Sequence, residues 1–76
     1  MTIDYVIQEV LDTISLMQLN NENVPVLDST QIDDIARRFL YEWGEVGDYE
    51  ADFNRTLLEY LRDEFVINKI NYQFNG

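Results

Sequence analysis

Three apolar stripes of helical period, parted by the few strong backbone breakers the chain contains, set what it can fold into. Ile3, Val6, Ile7, Val10, Leu11, Ile14 and Met17 recur at steps of three and four, the spacing that lines one side of an amphipathic helix. Thr2 is placed to cap that helix, and Asp4 falls in its first turn, where the dipole favours an anion. Asn20, Asn21 and Asn23 end it, because short amides compete for backbone hydrogen bonds. The spacing predicts a helix over 3–19.

The second stripe, Ile32, Ile35, Ala36, Phe39, Leu40 and Trp43, predicts a helix over 30–43, ended by Gly44. Thr30-Gln31-Ile32-Asp33 fits a capping box, although Asp is short for the role, and Asp28 and Ser29 are rival caps. The third stripe, Phe53, Leu57, Leu58, Tyr60, Leu61 and Phe65, predicts a helix over 49–65 with Asp48 as its cap. Asp33 with Arg37 and Asp34 with Arg38 are i,i+4 pairs in the favourable order. Arg55 and Arg62 have Asp52 and Glu59 as nearby acids.

The remaining segments are short. Pro25, the only proline, drives Val24 toward extended backbone, so Val24–Leu27 reads as an extended connection or a short edge strand. Residues 66–76 alternate as Val66, Asn68, Ile70, Tyr72 and Phe74 against Ile67, Lys69, Asn71 and Gln73, which suits a strand. Ile67, Ile70 and Phe74 also suit one face of a short helix; the three Asn and the β-favouring side chains tip the reading to strand. A lone strand must pair, and the candidates are Val24–Leu27 or the same tail of a second chain. The expected fold is mainly α: one acidic helical domain over 1–76, with three helices leaning antiparallel and a C-terminal extended segment or short β-strand.

Composition limits the chemistry. Leu, Ile, Val and Phe supply 25 of 76 residues, too many for a chain kept disordered by charge. The core of so small a domain is marginal. With no Cys and no His, neither a disulfide, a redox thiol nor a structural zinc site is expected. Burial against another copy or a partner is the remaining source of stability, so a homodimer is one expectation. No apolar run of 18 residues exists, and Asp4, Gln8 and Glu9 interrupt the first apolar residues, so neither a membrane span nor a secretory signal is expected, and the cytoplasm is the expected compartment.

Fifteen acids against five bases leave a net charge of −10. Direct binding to nucleic acid or to an anionic membrane requires cationic side chains; an acidic protein is attracted instead to basic surfaces. The acids are also grouped. Glu42, Glu45, Asp48, Glu50 and Asp52 put five acids and no base into eleven residues, with Tyr49 among them. Asp48, Glu50 and Asp52 serve the start of the third helix, but Glu42 and Glu45 lie at the end of the second, where the dipole disfavours them. A local rule broken without local gain points to function. Asp4, Glu9 and Asp12 form a second acidic face, and no base precedes Arg37. Asp48, Glu50, Asp52 and Glu59 match the first, third, fifth and twelfth positions of a calcium loop, but Phe53 occupies the sixth, which needs Gly. With no His, thiol, glycine-rich phosphate loop or serine motif, no catalytic residue, metal ligand or cofactor is expected. Tyr5 and Tyr41 fall off the stripes, Tyr49 starts the third helix beside the acidic turn, and all three suit an interface.

Duplex DNA carries one charge per roughly 1.7 Å of axis, and acids three or four apart on a helix stand about 5–6 Å apart, so acid-rich outer faces approximate a sparse row of phosphates. In its size, acidity and lack of Cys, and in the 42–52 run and the acids of the first 36 positions, the chain resembles the small acidic DNA-mimic inhibitors made by bacteriophages. That class includes anti-CRISPR and anti-restriction proteins and blockers of host DNA-binding proteins. The resemblance implies a non-enzymatic inhibitor in the host cytoplasm that occupies the nucleic-acid site of a basic DNA- or RNA-binding protein. The expected central contact is Glu42, Glu45, Asp48, Tyr49, Glu50 and Asp52, with Asp4, Glu9 and Asp12 outside it. The other reading is a small helical adaptor or antitoxin-like subunit that binds a protein through apolar surface.

Overall fold

The computed structural model of the chain describes residues 2–46 and 50–74, with side chains at all of these except 44–46, 50 and 51. It is mainly helical: α1 is Ile3–Leu19, α2 is Ser29–Val46, α3 is Glu50–Ile67, and a 3-10 helix covers Lys69–Asn71. The first helix has the expected bounds. Thr2 Oγ1 accepts from Tyr5 N at 3.2 Å. At the other end Asn21 takes φ 61°, while its N–H donates to Gln18 O and that of Glu22 to Met17 O. Those bonds satisfy carbonyls the helix leaves open, and Asn is among the few non-glycine residues that tolerate this left-handed conformation.

The second helix starts earlier than its stripe implied. Its cap is Asp28, whose Oδ1 accepts from Gln31 N at 2.8 Å, while Gln31 Oε1 accepts from Asp28 N at 2.9 Å. The reciprocal box thus uses Asp28 and Gln31 rather than Thr30 and Asp33, and Asp33 is taken by Arg37 instead. Gly44 does not end the helix, which continues to Val46; one interior Gly costs about 1 kcal/mol, too little to stop it.

The stripes meet in one core. Val6, Val10 and Met17 of α1, Ile35, Ala36, Phe39 and Trp43 of α2, and Phe53, Leu57, Leu61 and Phe65 of α3 are buried. Phe39 is central, 5.6 Å from Phe53 and 5.3 Å from Tyr60 in edge contacts and 5.9 Å from Trp43. Arg38 meets Glu64 and Trp43 meets Phe53, so α2 and α3 are antiparallel. Tyr5 meets Phe53 and Glu22 meets Arg62, so α1 runs with α3. The body measures 37 × 24 × 21 Å.

The tail departs from the strand expected over 66–76. Val66 and Ile67 form the last turn of α3, and the 3-10 helix follows. The chain becomes extended at Tyr72 and touches the Val24–Leu27 linker by one antiparallel bridge, Val26 with Gln73, where Val26 N donates to Gln73 O at 2.7 Å. Helix wins because the Asn68 backbone N–H still reaches Glu64 O at 3.0 Å and its side chain reaches the Glu64 carboxylate at 3.1 Å.

Candidate binding surface

Four of the five bases are consumed within the fold. Arg37 pairs with Asp33, Arg38 with Asp34 and Glu64, Arg55 with Asp52, and Arg62 with Glu22. Arg62 therefore bridges α3 to the segment after α1, at 2.7 and 2.8 Å to the two Glu22 oxygens, instead of pairing with Glu59. The same contact holds the Glu22 carboxyl below its ordinary value. On α2, Asp33 is answered by Arg37, while Asp34 shares Arg38 with Glu64.

Glu64 is the one deeply buried acid among the described residues, 7% exposed. Its carboxylate accepts from Arg38 Nη1 and Nη2 at 2.8 and 3.2 Å, from Asn68 Nδ2 at 3.1 Å and from the Tyr72 hydroxyl at 2.6 Å. Burial pushes the carboxyl up, but the hydrogen bonds from Arg38, Tyr72 and Asn68 outweigh it and leave it below its ordinary value. The Tyr72 phenol is pushed up to about 12 by burial and by the Glu64 carboxylate. This acid serves the fold, tying α2, α3 and the tail together.

The expected site residues are only partly brought together. Asp48 and Tyr49 lie outside the described residues, and so do the side chains of Glu45 and Glu50. Glu42 is exposed, near enough to Tyr60 that its charge, with burial, helps to raise that phenol. Asp52 is exposed but shares Arg55, whose Nη2 donates to it at 2.9 Å. On α1, Asp4 and Asp12 are exposed and Glu9 is half-buried. Asp12 accepts from Gln8 at 3.0 Å. Asp4 and Glu9 are separated by roughly 140° around the helix at 3.6 residues per turn, so the three do not form one row. The outer face of α1 also points away from that of α3, as outer faces do in a three-helix bundle.

Two further acids, Glu59 and Asp63, extend the exposed acidic surface. Asp52, Glu59 and Asp63 are all exposed and fall within roughly 40° of one another around α3, on the side opposite its buried stripe. They form a straight row over about 16 Å at 1.5 Å rise per residue. The i, i+7, i+11 spacing was visible, but Glu59 was assigned to Arg62. The same helix separates Asp52 from Glu59 by about 10 Å and buries Phe53, so these residues do not close a calcium loop. Among the described residues no group of three acids, His or Cys is placed to hold a metal ion.

The off-stripe tyrosines divide. Tyr5 leans on Phe53 at 5.8 Å between ring centroids, whereas Tyr41 is 72% exposed. No described helix is long and apolar enough to cross a membrane. Comparison with protein families, curated proteins and solved structures finds no match to this chain.

Proposed function

We propose that this chain is a non-enzymatic binding protein that offers carboxylates in place of nucleic-acid phosphates to a basic DNA- or RNA-binding protein, an inhibitor of the phage anti-defence or host-takeover kind. The observation that carries this reading is the exposed row Asp52, Glu59 and Asp63 on α3, with no ion pair to Glu59 or Asp63 among the described residues. Glu42 lies on the neighbouring helix, and Glu45, Asp48 and Glu50 belong to the same stretch of chain. The long axis of 37 Å is close to one turn of duplex, about 34–36 Å. Over that length DNA carries roughly 22 charges, against a net charge of −10 here, so the imitation is sparse and its attraction is long-ranged and salt-sensitive.

Charge reversal tests it. Glu59→Lys with Asp63→Lys changes two exposed side chains, so helicity is expected to survive while partner binding falls at least tenfold. Unchanged binding in a folded variant would refute the assignment. The adaptor reading is favoured by a different observation, the exposure of Val66, Ile67 and Ile70, and predicts affinity that survives high salt.

A further inference from the structure

Between α1, the linker and the start of α2 lies a groove of about 390 Å³, walled by Leu11, Ile14, Val24, Leu27 and Ile32, with no charged side chain in its lining. Every lining residue falls between 11 and 32, within the first 36 positions, which hold seven acids and no base. Leu11 is 39% exposed and Val26, on the linker wall, 49%, so apolar surface there faces solvent. Leu19, 81% exposed, continues the row of Leu11 and Ser15 at steps of four, over about 12 Å along α1.

The charge around this groove is predominantly negative. Asp12 follows Leu11 and Asp28 follows Leu27, and both are exposed. Asp33 follows Ile32, and Asp4 lies within roughly 20° of Leu11 around α1, two turns back. Against these four carboxylates stands Arg37, which Asp33 binds at 2.8 Å and Asp4 also attracts. The other bases are turned elsewhere: Arg38 reaches Glu64 and Arg55 pairs with Asp52, while Arg62 and Lys69 line a different groove with Glu22 and Phe74. An occupant that fits therefore brings apolar anchors and cations together. A second copy of the chain, at −10, is opposed here.

The backbone decides the form of the occupant. An extended segment finds no edge at the linker, because Pro25 has no N–H and that of Val26 is given to Gln73 O. A helix needs no such edge, and anchors at i, i+4 and i+7 span about 10 Å, the reach of the apolar row along α1. We propose that this groove receives a basic amphipathic helix of a partner protein, its apolar anchors against Leu11, Ile14 and Leu27 and its Lys or Arg side chains facing Asp12 and Asp28. Because the rim is charged, salt weakens the contact. The site lies on α1 and the linker and does not use the α3 acid row, so this inference and the proposed function fail independently.

The test is fluorescence anisotropy of a labelled synthetic helical peptide of about 14 residues, with Leu at i, i+4 and i+7 and Lys on its other face, titrated with the full chain at about 0.15 M salt. A peptide of the same composition with its leucines scattered off one face controls for charge alone, and one with Glu in place of Lys controls for apolar contact alone. The matched peptide should bind at least tenfold tighter than either, and shift the amide resonances of Leu11, Ile14 and Leu27. Ser15→Arg puts a long cation into the groove wall and should remove that preference; Leu11→Ala should weaken the matched peptide at least threefold. Glu59→Lys with Asp63→Lys, on α3, should leave the preference for the matched over the scattered peptide intact. Matched and scattered peptides that bind within threefold of each other overturn the proposal. So does an acidic peptide that binds as well as the basic one, or a preference that survives Ser15→Arg.

Discussion

Replacing Glu64 by Leu tests whether a buried carboxylate, rather than apolar contact alone, holds the tail to the bundle. The substitution removes the acceptor for Tyr72 at 2.6 Å, Asn68 at 3.1 Å and Arg38 at 2.8 Å. A hydrogen bond to a charged group contributes about 1.5–3 kcal/mol, and the Tyr72 bond is the shortest of the three. The Arg38 share is smaller, because its side chain is 42% exposed and keeps Asp34; exposed pairs contribute about 1 kcal/mol or less. Leu recovers part of the loss by burying apolar surface. The net cost is about 2–3 kcal/mol, and at about 4–8 °C per kcal/mol for a domain of this size Tm should fall by roughly 8–24 °C. The assay is urea and thermal unfolding followed by circular dichroism, with hydrogen exchange at the Val26 amide, which donates to Gln73 O. Tyr72→Phe keeps the ring beside Phe65, 5.6 Å away, and removes only the hydroxyl. The double variant should be less destabilised than the two singles added together, by about 1 kcal/mol, because the singles break the same bond. Stability within about 0.5 kcal/mol of the unmodified chain, the size of an ordinary surface substitution, would refute the reasoning if Val26 protection is also unchanged.

Other outcomes follow from the same contacts. Because the folded Glu64 carboxyl lies below its ordinary value of 4.5, its contribution is fully present above that value and is lost as pH falls through the lower folded value. An acid titration of stability should therefore lose less below pH 4.5 in the Glu64→Gln variant. The Tyr72 phenol is raised from 10.0 to about 12, so its contribution is complete below pH 10 and lost as pH rises toward 12; Tyr72→Phe should flatten that alkaline limb. Asp28→Ala removes one half of the reciprocal cap of α2 and should cost about 1 kcal/mol, measured by urea unfolding, whereas Thr30→Ala should cost less than half as much.

Apolar period and cap chemistry are local, and where they govern, sequence reading and structure agree. Thr2 and the three Asn bracket α1 because each acts on backbone within a few residues. The second cap was misplaced by two residues because Asp28, Ser29 and Thr30 all fit the chemistry, and what selects Asp28 is the reach of Gln31 back to its N–H. The tail takes helical turns over 66–71 because alternation and helical period coexist there, while from Tyr72 it is extended and bridges to Val26, one of the expected pairings. Its outcome depends on Glu64, eight residues before Tyr72 but 26 beyond Arg38 in sequence, and no local pattern reports a contact of that range. For the same reason the α3 acid row was legible as a face, yet Glu59 was assigned to an arginine that reaches across 40 residues to Glu22 instead.

The central claim is that carboxylates left over after four bases are consumed act together as a substitute for phosphate. It is tested most directly by immobilising the chain, exposing it to a bacterial extract at about 50 mM salt and measuring what duplex DNA displaces, against elution by salt. The account predicts basic nucleic-acid-binding proteins that leave the column by about 200 mM salt and that duplex DNA releases at constant salt. Captured proteins that resist both salt and DNA would contradict it.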